Sequence, residues 1–170
     1  MGAHTIKGAA DTRMVLDAVR QIVRVLHESS RAAEMRVGVT GAQLFVLQTL
    51  AESPATSLND LAGRTHTHQS SVSTVVSRLV KRGLVTRVPA AADRRRLELR
   101  LSPEGRRLVA KAPDAAQARL IAAIEQLPAA RRRALAQSLG ALTTAMDVAD
   151  RQPVMFFDDA ARAVRKASRG

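Results

Sequence analysis

A mainly α-helical fold with one small β-hairpin is what this sequence predicts, on three observations. Apolar residues recur at three- and four-residue steps through most of the 170-residue chain. The period drops to two only near residues 84–101, where LVTRV and RLELRL flank PAAADRR, a turn-rich tip bearing positive charge. Just before that hairpin, two short helical patterns are joined by the Gly-containing turn GRTHTHQ, the helix-turn-helix arrangement.

Each element follows from its residues. Over 12–36, Val15, Val19, Ile22, Val23 and Leu26 share one face while Arg13, Arg20 and Arg24 lie off it, so a long amphipathic helix is expected. It stops before VGVTG. Thr40 followed three places later by Gln43 is a capping box for a second helix that buries Leu44, Leu47 and Leu50 and is broken by ESPAT. Ser57 with Asp60 opens a third, SLNDLAGRT, burying Leu58, Leu61 and Ala62.

The fourth helix lies within SSVSTVVSRLVKRGL, residues 70–84, with Thr67 as its expected N-cap and Gly83 as its C′ residue. Val72, Val75, Val76 and Leu79 cluster on one side. Ser70, Thr74, Ser77 and Lys81 stand opposite, flanked by Ser73 and Arg78. Ser, Thr and Val are indifferent helix formers, so this helix must draw its stability from packing of the Val face. An outer face of short hydroxyls suits a helix whose backbone must approach base edges in a major groove, because long side chains would hold it off.

Ser102 as N-cap, Pro103 at N1 and Glu104 in the first turn start the next helix, which Pro113 should kink or interrupt before the pattern resumes through Leu120, Ile124 and Leu127. Pro128 begins a last helix in which Leu135, Leu139, Leu142, Met146 and Ala149 form a heptad-like seam. Residues 151–170 are a basic tail with no assigned element or role.

Composition narrows the partners. The chain carries 27 basic against 15 acidic residues, a net charge of +12. Residues 64–107 alone hold 11 basic and 3 acidic residues, so a quarter of the chain carries two-thirds of the excess. That clustering favours contact with a polyanion. With no Trp or Tyr and only Phe45, Phe156 and Phe157, there is no aromatic platform for single-stranded bases, so duplex DNA is the better candidate. The absence of Cys excludes disulfides, Zn-thiolate sites and thiol switches, and suits a reducing compartment. Neither a secretory leader nor a run of about 18 apolar residues is present, so a soluble, cytoplasmic protein is expected.

Three blocks, TGAQLFVLQTLAE, LNDLAGRTHTHQSSVSTVVSRLVKRGLVTRV and ADRRRLELRLSPEGRRLV, together resemble the MarR family of winged helix-turn-helix regulators over residues 40–109. The flanking long helices extend the likeness to 12–150. The resemblance implies residues 37–102 as a winged helix-turn-helix DNA-binding domain and residues 1–36 with 103–150 as a helical dimerisation region. It further implies a homodimer on a palindromic duplex site and transcriptional control, usually repression, often relieved by a small phenolic or anionic effector. By motif position, Asp93 would brace Arg95 in the minor groove, with Arg94 and Arg96 at phosphates. Thr74 stands where many members carry Arg, so Gln69 and Arg78 are the candidates to replace that contact.

The expected DNA-binding set is therefore His66, His68, Gln69, Ser70, Ser71, Ser73, Thr74, Ser77, Arg78, Lys81, Arg94, Arg95 and Arg96. Arg24, His27 and Arg31 on the first helix would suit a carboxylate effector if they line a cavity; a solvated face is the plainer reading of them. His66-x-His68 offers two ligands, an incomplete metal site, so neither metal nor cofactor is expected. No nucleophile elbow, P-loop or dinucleotide fingerprint occurs, which argues against an enzyme. The rival binding reading is a nucleoid-type architectural protein that uses the same basic patch without sequence preference.

Overall fold

The computed structural model describes residues 2–89 and 97–158, with side chains from residue 8 onward. The elements run α1 (Gly2–Val37), α2 (Gly41–Glu52), α3 (Leu58–Arg64), α4 (Gln69–Lys81), β1 (Val85–Pro89), β2 (Leu97–Leu101), α5 (Pro103–Lys111), α6 (Ala116–Gln126) and α7 (Ala129–Ala145).

Side-chain caps start three of the helices. The Thr40 hydroxyl accepts from the Gln43 N–H at 3.3 Å while Gln43 Oε1 accepts from the Thr40 N–H at 3.2 Å, closing the capping box of α2. Ser57 and Ser102 accept from the N–H groups of Asp60 and Gly105 at 3.0 and 2.9 Å, opening α3 and α5. The end of α4 is a Schellman motif: Gly83 has φ +69°, its N–H donates to Val80, and the Leu84 N–H donates to Leu79. Leu84 and Leu79 are both buried, which supplies the hydrophobic contact that accompanies this motif.

The core lies where α2, α3 and α4 meet the base of the hairpin. Leu44, Leu47, Leu61, Val72, Val75, Val76 and Leu79 are fully buried, with Val85, Leu99 and Leu101 closing it from below. The strands pair antiparallel, with Val85 opposite Leu101, Arg87 opposite Leu99 and Pro89 opposite Leu97. Ala55, in the break after α2, exchanges backbone hydrogen bonds of 3.0 and 2.8 Å with Leu99, so it extends the hairpin by one bridge.

Several expectations need correction. Helix α1 starts ten residues before position 12, since the preceding residues contain no proline to stop it. His68, not Thr67, is the N-cap of α4, and it caps with no side-chain bond. The Thr67 hydroxyl is diverted to Thr65 at 2.8 Å, and Thr65 is itself fully buried against the Leu61 carbonyl. Leu58 is only half-buried. Leu97 shares the alternation of Leu99 and Leu101 yet is exposed, because it lies towards the hairpin tip, beyond the core. Helix α7 ends at Ala145, so Met146 is its C-cap and Ala149 lies outside the seam.

Pro113 does interrupt the helix after α5. The side-chain amide of Gln48 fills the gap, donating to the Pro113 carbonyl and accepting from the Ala115 N–H, both at 2.9 Å.

Gly105 shows why the helix after the hairpin begins with a small residue. A Cβ there would sit 2.2 Å from the Leu84 carbonyl oxygen, which also accepts from the Ser102 N–H. Gly105→Ala should therefore destabilise the fold by about 1–3 kcal/mol despite the higher helix propensity of Ala. Denaturant titration of the two proteins checks this; an equal or higher midpoint for the variant would contradict the close approach.

Outside this core, much of α1 and all of α7 present apolar side chains that nothing covers among the described residues. Met14, Val15, Leu16, Val19, Ile22, Val23 and Val25 of α1 are exposed, and so are Leu135, Leu139 and Leu142 of α7, a helix with no buried residue at all. Only the second half of α1, through Leu26, Ser30 and Ala33, packs into the molecule.

Candidate nucleic-acid interface

Helix α4 presents two chemically different sides. Its apolar side is locked into the core, and its other side carries Ser70, Thr74 and Lys81 exposed, with Ser73, Ser77 and Arg78 half-buried. The Thr74 hydroxyl donates to the Ser70 carbonyl at 3.1 Å, which leaves its lone pairs directed outward. His68 and Gln69 stand exposed at the N-terminal end of the helix. The outward face is thus hydroxyl and cation, as its spacing indicates.

The structure departs from the expected set at three residues of this face. Ser71 is buried, not exposed, and its hydroxyl donates to the Pro153 carbonyl at 3.2 Å. Arg78 is ion-paired with Asp158, whose carboxylate is almost wholly buried. His66, at φ +50°, turns away from α4 and places Nε2 3.1 Å from Glu125 Oε1 on α6. Asp93, Arg94, Arg95 and Arg96 lie outside the described residues.

Residues 151–158 carry no helical or strand pattern in the sequence. Gln152 Nε2 donates to Ser70 Oγ at 2.6 Å, Met155 is buried within the core, and the Phe157 ring lies 4.4 Å from that of His27. This segment forms a strap running along one flank of α4 and across to α1. The one signal for it in the sequence is VMFF, an apolar run inside a tail otherwise rich in charge.

The three residues offered for an effector do not line a cavity. Arg24 is exposed and bonded to Glu28 at 2.8 Å, an interaction that raises the pKa of an already permanent cation. Arg31 is exposed, and His27 meets Phe157. An open cleft of about 600 Å³ lies elsewhere, between the end of α1, the start of α2 and the end of α4. Arg78, Lys81 and Arg82 line one side of it, and Glu34, Thr40 and Gln43 the other. Arg82 donates to Gln43 Oε1 at 3.2 Å, tying the cleft to the α2 capping box.

Among the described residues no three His, Asp or Glu side chains gather as a metal site, and no helix is long and apolar enough to cross a membrane.

Comparison with known proteins agrees with this geometry. Residues 37–96 match the family model described as MarR family. The transcriptional repressor MdtR of Bacillus subtilis is 32% identical over 96 residues, covering 56% of this chain and 60% of MdtR. The chain spans about three-fifths of the length of the curated relatives it matches. The crystal structure of RV1404 from Mycobacterium tuberculosis superposes with a TM-score of 0.51 at 26% identity, over 82% of this chain and 97% of that one. BpsR of Bordetella bronchiseptica, whose DNA binding is regulated by 6-hydroxynicotinic acid, gives a TM-score of 0.50 at 27% identity, over 78% and 91%. The helix-turn-helix with its adjoining hairpin, the match over residues 37–96 and the agreement of these relatives support a MarR-type transcriptional regulator.

Proposed function

We propose that the chain is a homodimeric, ligand-responsive transcription regulator, acting as a repressor, that binds a pseudo-palindromic duplex operator. The observation that carries this reading is the outward face of α4: exposed hydroxyls and a lysine on a helix whose opposite side is fully buried in the core. A helix so anchored and so faced suits the major groove, and the basic hairpin beside it suits phosphates and the minor groove. MdtR, a repressor by name, and BpsR, a DNA-binding protein, support the same reading.

The unpartnered apolar faces of α1 and α7 support dimerisation. A second copy would cover them and set two reading helices about one DNA turn, roughly 34 Å, apart. Residues 1–36 and 103–150 are accordingly the dimerisation region, and residues 37–102 the DNA-binding domain. The cleft lined by Glu34, Arg78, Lys81 and Arg82 is a better effector site than Arg24, His27 and Arg31, because Lys81 and Arg82 border a space of suitable size. A carboxylate ligand fits it, and the effector of BpsR is such an acid. Binding that favours one spacing of the reading helices would shift the population away from the DNA-competent dimer.

Selection of bound fragments from a random duplex pool, followed by affinity measurement at two salt concentrations, tests the proposal. A specific site should be bound at least about 10³-fold more tightly than random duplex, whereas an architectural protein would stay near unity. Lys81→Ala should weaken all sequences alike and lower the salt slope by about 1. Ser73→Ala with Thr74→Ala should change the preferred sequence instead, and Arg95→Ala should cost about 1–3 kcal/mol. Variants that bind as the parent does would remove α4 and the hairpin from the interface.

A further inference from the structure

We infer that residues 152–158 are an intramolecular clasp that occupies the reading helix and must open before α4 can enter a groove. The inference rests on the DNA-binding reading of α4 and adds a regulatory element to it.

The clasp takes three polar groups of α4. Gln152 engages the Ser70 hydroxyl, the Pro153 carbonyl accepts from Ser71, and the Asp158 carboxylate neutralises Arg78. Ser70 and Ser71 open the helix, and the N-terminal residues of a recognition helix are those that contact base edges. A strap lying against them occupies the space that the phosphate backbone bordering the groove would take. Asp158 also sets a negative charge beside a surface that has to meet phosphate.

The closed clasp is held, but at a cost. Burial of Met155 and the Arg78–Asp158 pair favour closure. Two features oppose it. Phe157 adopts φ +58°, a left-handed conformation that non-glycine residues take only under constraint. Beneath Phe156 and Phe157 lies a cavity of about 10 Å³, room for a single water, into which the chain also brings Gln117. Gln117 Oε1 is buried there with no hydrogen-bond partner among the described residues. Opening relieves the strain at Phe157 and gives Gln117 access to solvent. A segment whose closure is both favoured and opposed can populate an open state, and a duplex that binds only that state shifts the balance by its affinity.

Two full-length variants test the clasp in opposite directions. Asp158→Asn with Gln152→Ala removes two of the three contacts to α4 yet keeps Met155, and should bind a duplex selected from a random pool about tenfold more tightly than the parent. Ser70→Cys with Gln152→Cys, bridged by a short bis-maleimide in this otherwise cysteine-free chain, holds the strap shut. It should bind at least about tenfold more weakly than the same variant capped by a monofunctional maleimide. Amide hydrogen exchange over 153–158 in the parent should rise when the duplex is added. Equal affinity for bridged and capped protein overturns the clasp while leaving α4 as the reading helix. Weaker binding and a shallower salt slope in the released variant overturn it too, because the strap would then be contributing contacts to DNA. If neither parent nor variants bind any duplex, the clasp and the DNA-binding reading fall together.

Discussion

Val19→Asp combined with Val23→Asp should leave the protein monomeric by light scattering, with affinity for a palindromic duplex lowered about 10²–10⁴-fold. Both valines are already more than two-fifths exposed in the single chain, so the change leaves the monomer's core intact and its helical circular dichroism near that of the parent. The effect falls on what those side chains meet in the proposed dimer. At about 100° per residue, the exposed apolar side chains from Met14 to Val25 cover an arc of about 200°, far wider than the roughly 100° stripe of a helix that lies on one surface. A helix apolar over more than half its circumference needs cover on several sides, and this chain covers only its second half. Two carboxylates placed within that arc must be desolvated for the proposed dimer to form, at several kcal/mol each. The loss of affinity follows because each half-site is then bound alone, without the effective concentration that linkage supplies. Met35→Asp serves as the control, since Met35 lies on the opposite side of the same helix and is 82% exposed. A dimer that survives the double substitution, or a Met35 variant that dissociates as readily, would place the interface elsewhere.

What the sequence discloses in this protein is what depends on neighbours a few residues apart. Thr40 with Gln43, Ser57 with Asp60, and Ser102 with Pro103 each cap a helix through atoms within three residues, so their pattern suffices. Gly83 is legible for the same reason, because the requirement for positive φ is local. The inner face of α4 is read from spacing alone, and all four of its expected apolar residues are fully buried.

The failures are contacts made at long range. Ser71 looks like one more outward serine until a carbonyl from 82 residues further on closes over it. Arg78 is a free cation in any helical projection, and Asp158 pairs with it from 80 residues away. Thr67 has the chemistry of an N-cap, but a buried neighbour competes for its hydroxyl and wins. The exposure of Arg24, His27 and Arg31 on α1 has a related reason: basic residues spaced along a helix mark a polar face, whereas a cavity is defined by where separate helices meet.

Leu79→Ala should lower the stability of the protein by about 2–5 kcal/mol, whereas Thr74→Ala and Lys81→Ala, on the same helix, should each stay within about 0.5 kcal/mol. Leu79 is fully buried between the Val residues of α4 and the hairpin base, and its backbone carbonyl anchors the Schellman turn that leads into β1. Truncating it removes apolar contact and leaves a cavity that the surrounding branched side chains can fill only in part. For a chain of this size the melting temperature should fall by roughly 5–15 °C. Thr74 and Lys81 touch water, so their loss costs the fold little, but they stand where a duplex would be met. Thermal unfolding and duplex affinity measured on all three variants should therefore separate cleanly. Leu79→Ala changes the first strongly, and the two surface variants change only the second. A melting temperature unmoved by Leu79→Ala would mean that α4 is not held by its apolar side, and its opposite side would lose its claim to recognition. Surface variants that shift melting but not affinity would show that the outward side of α4 serves the fold instead of a partner.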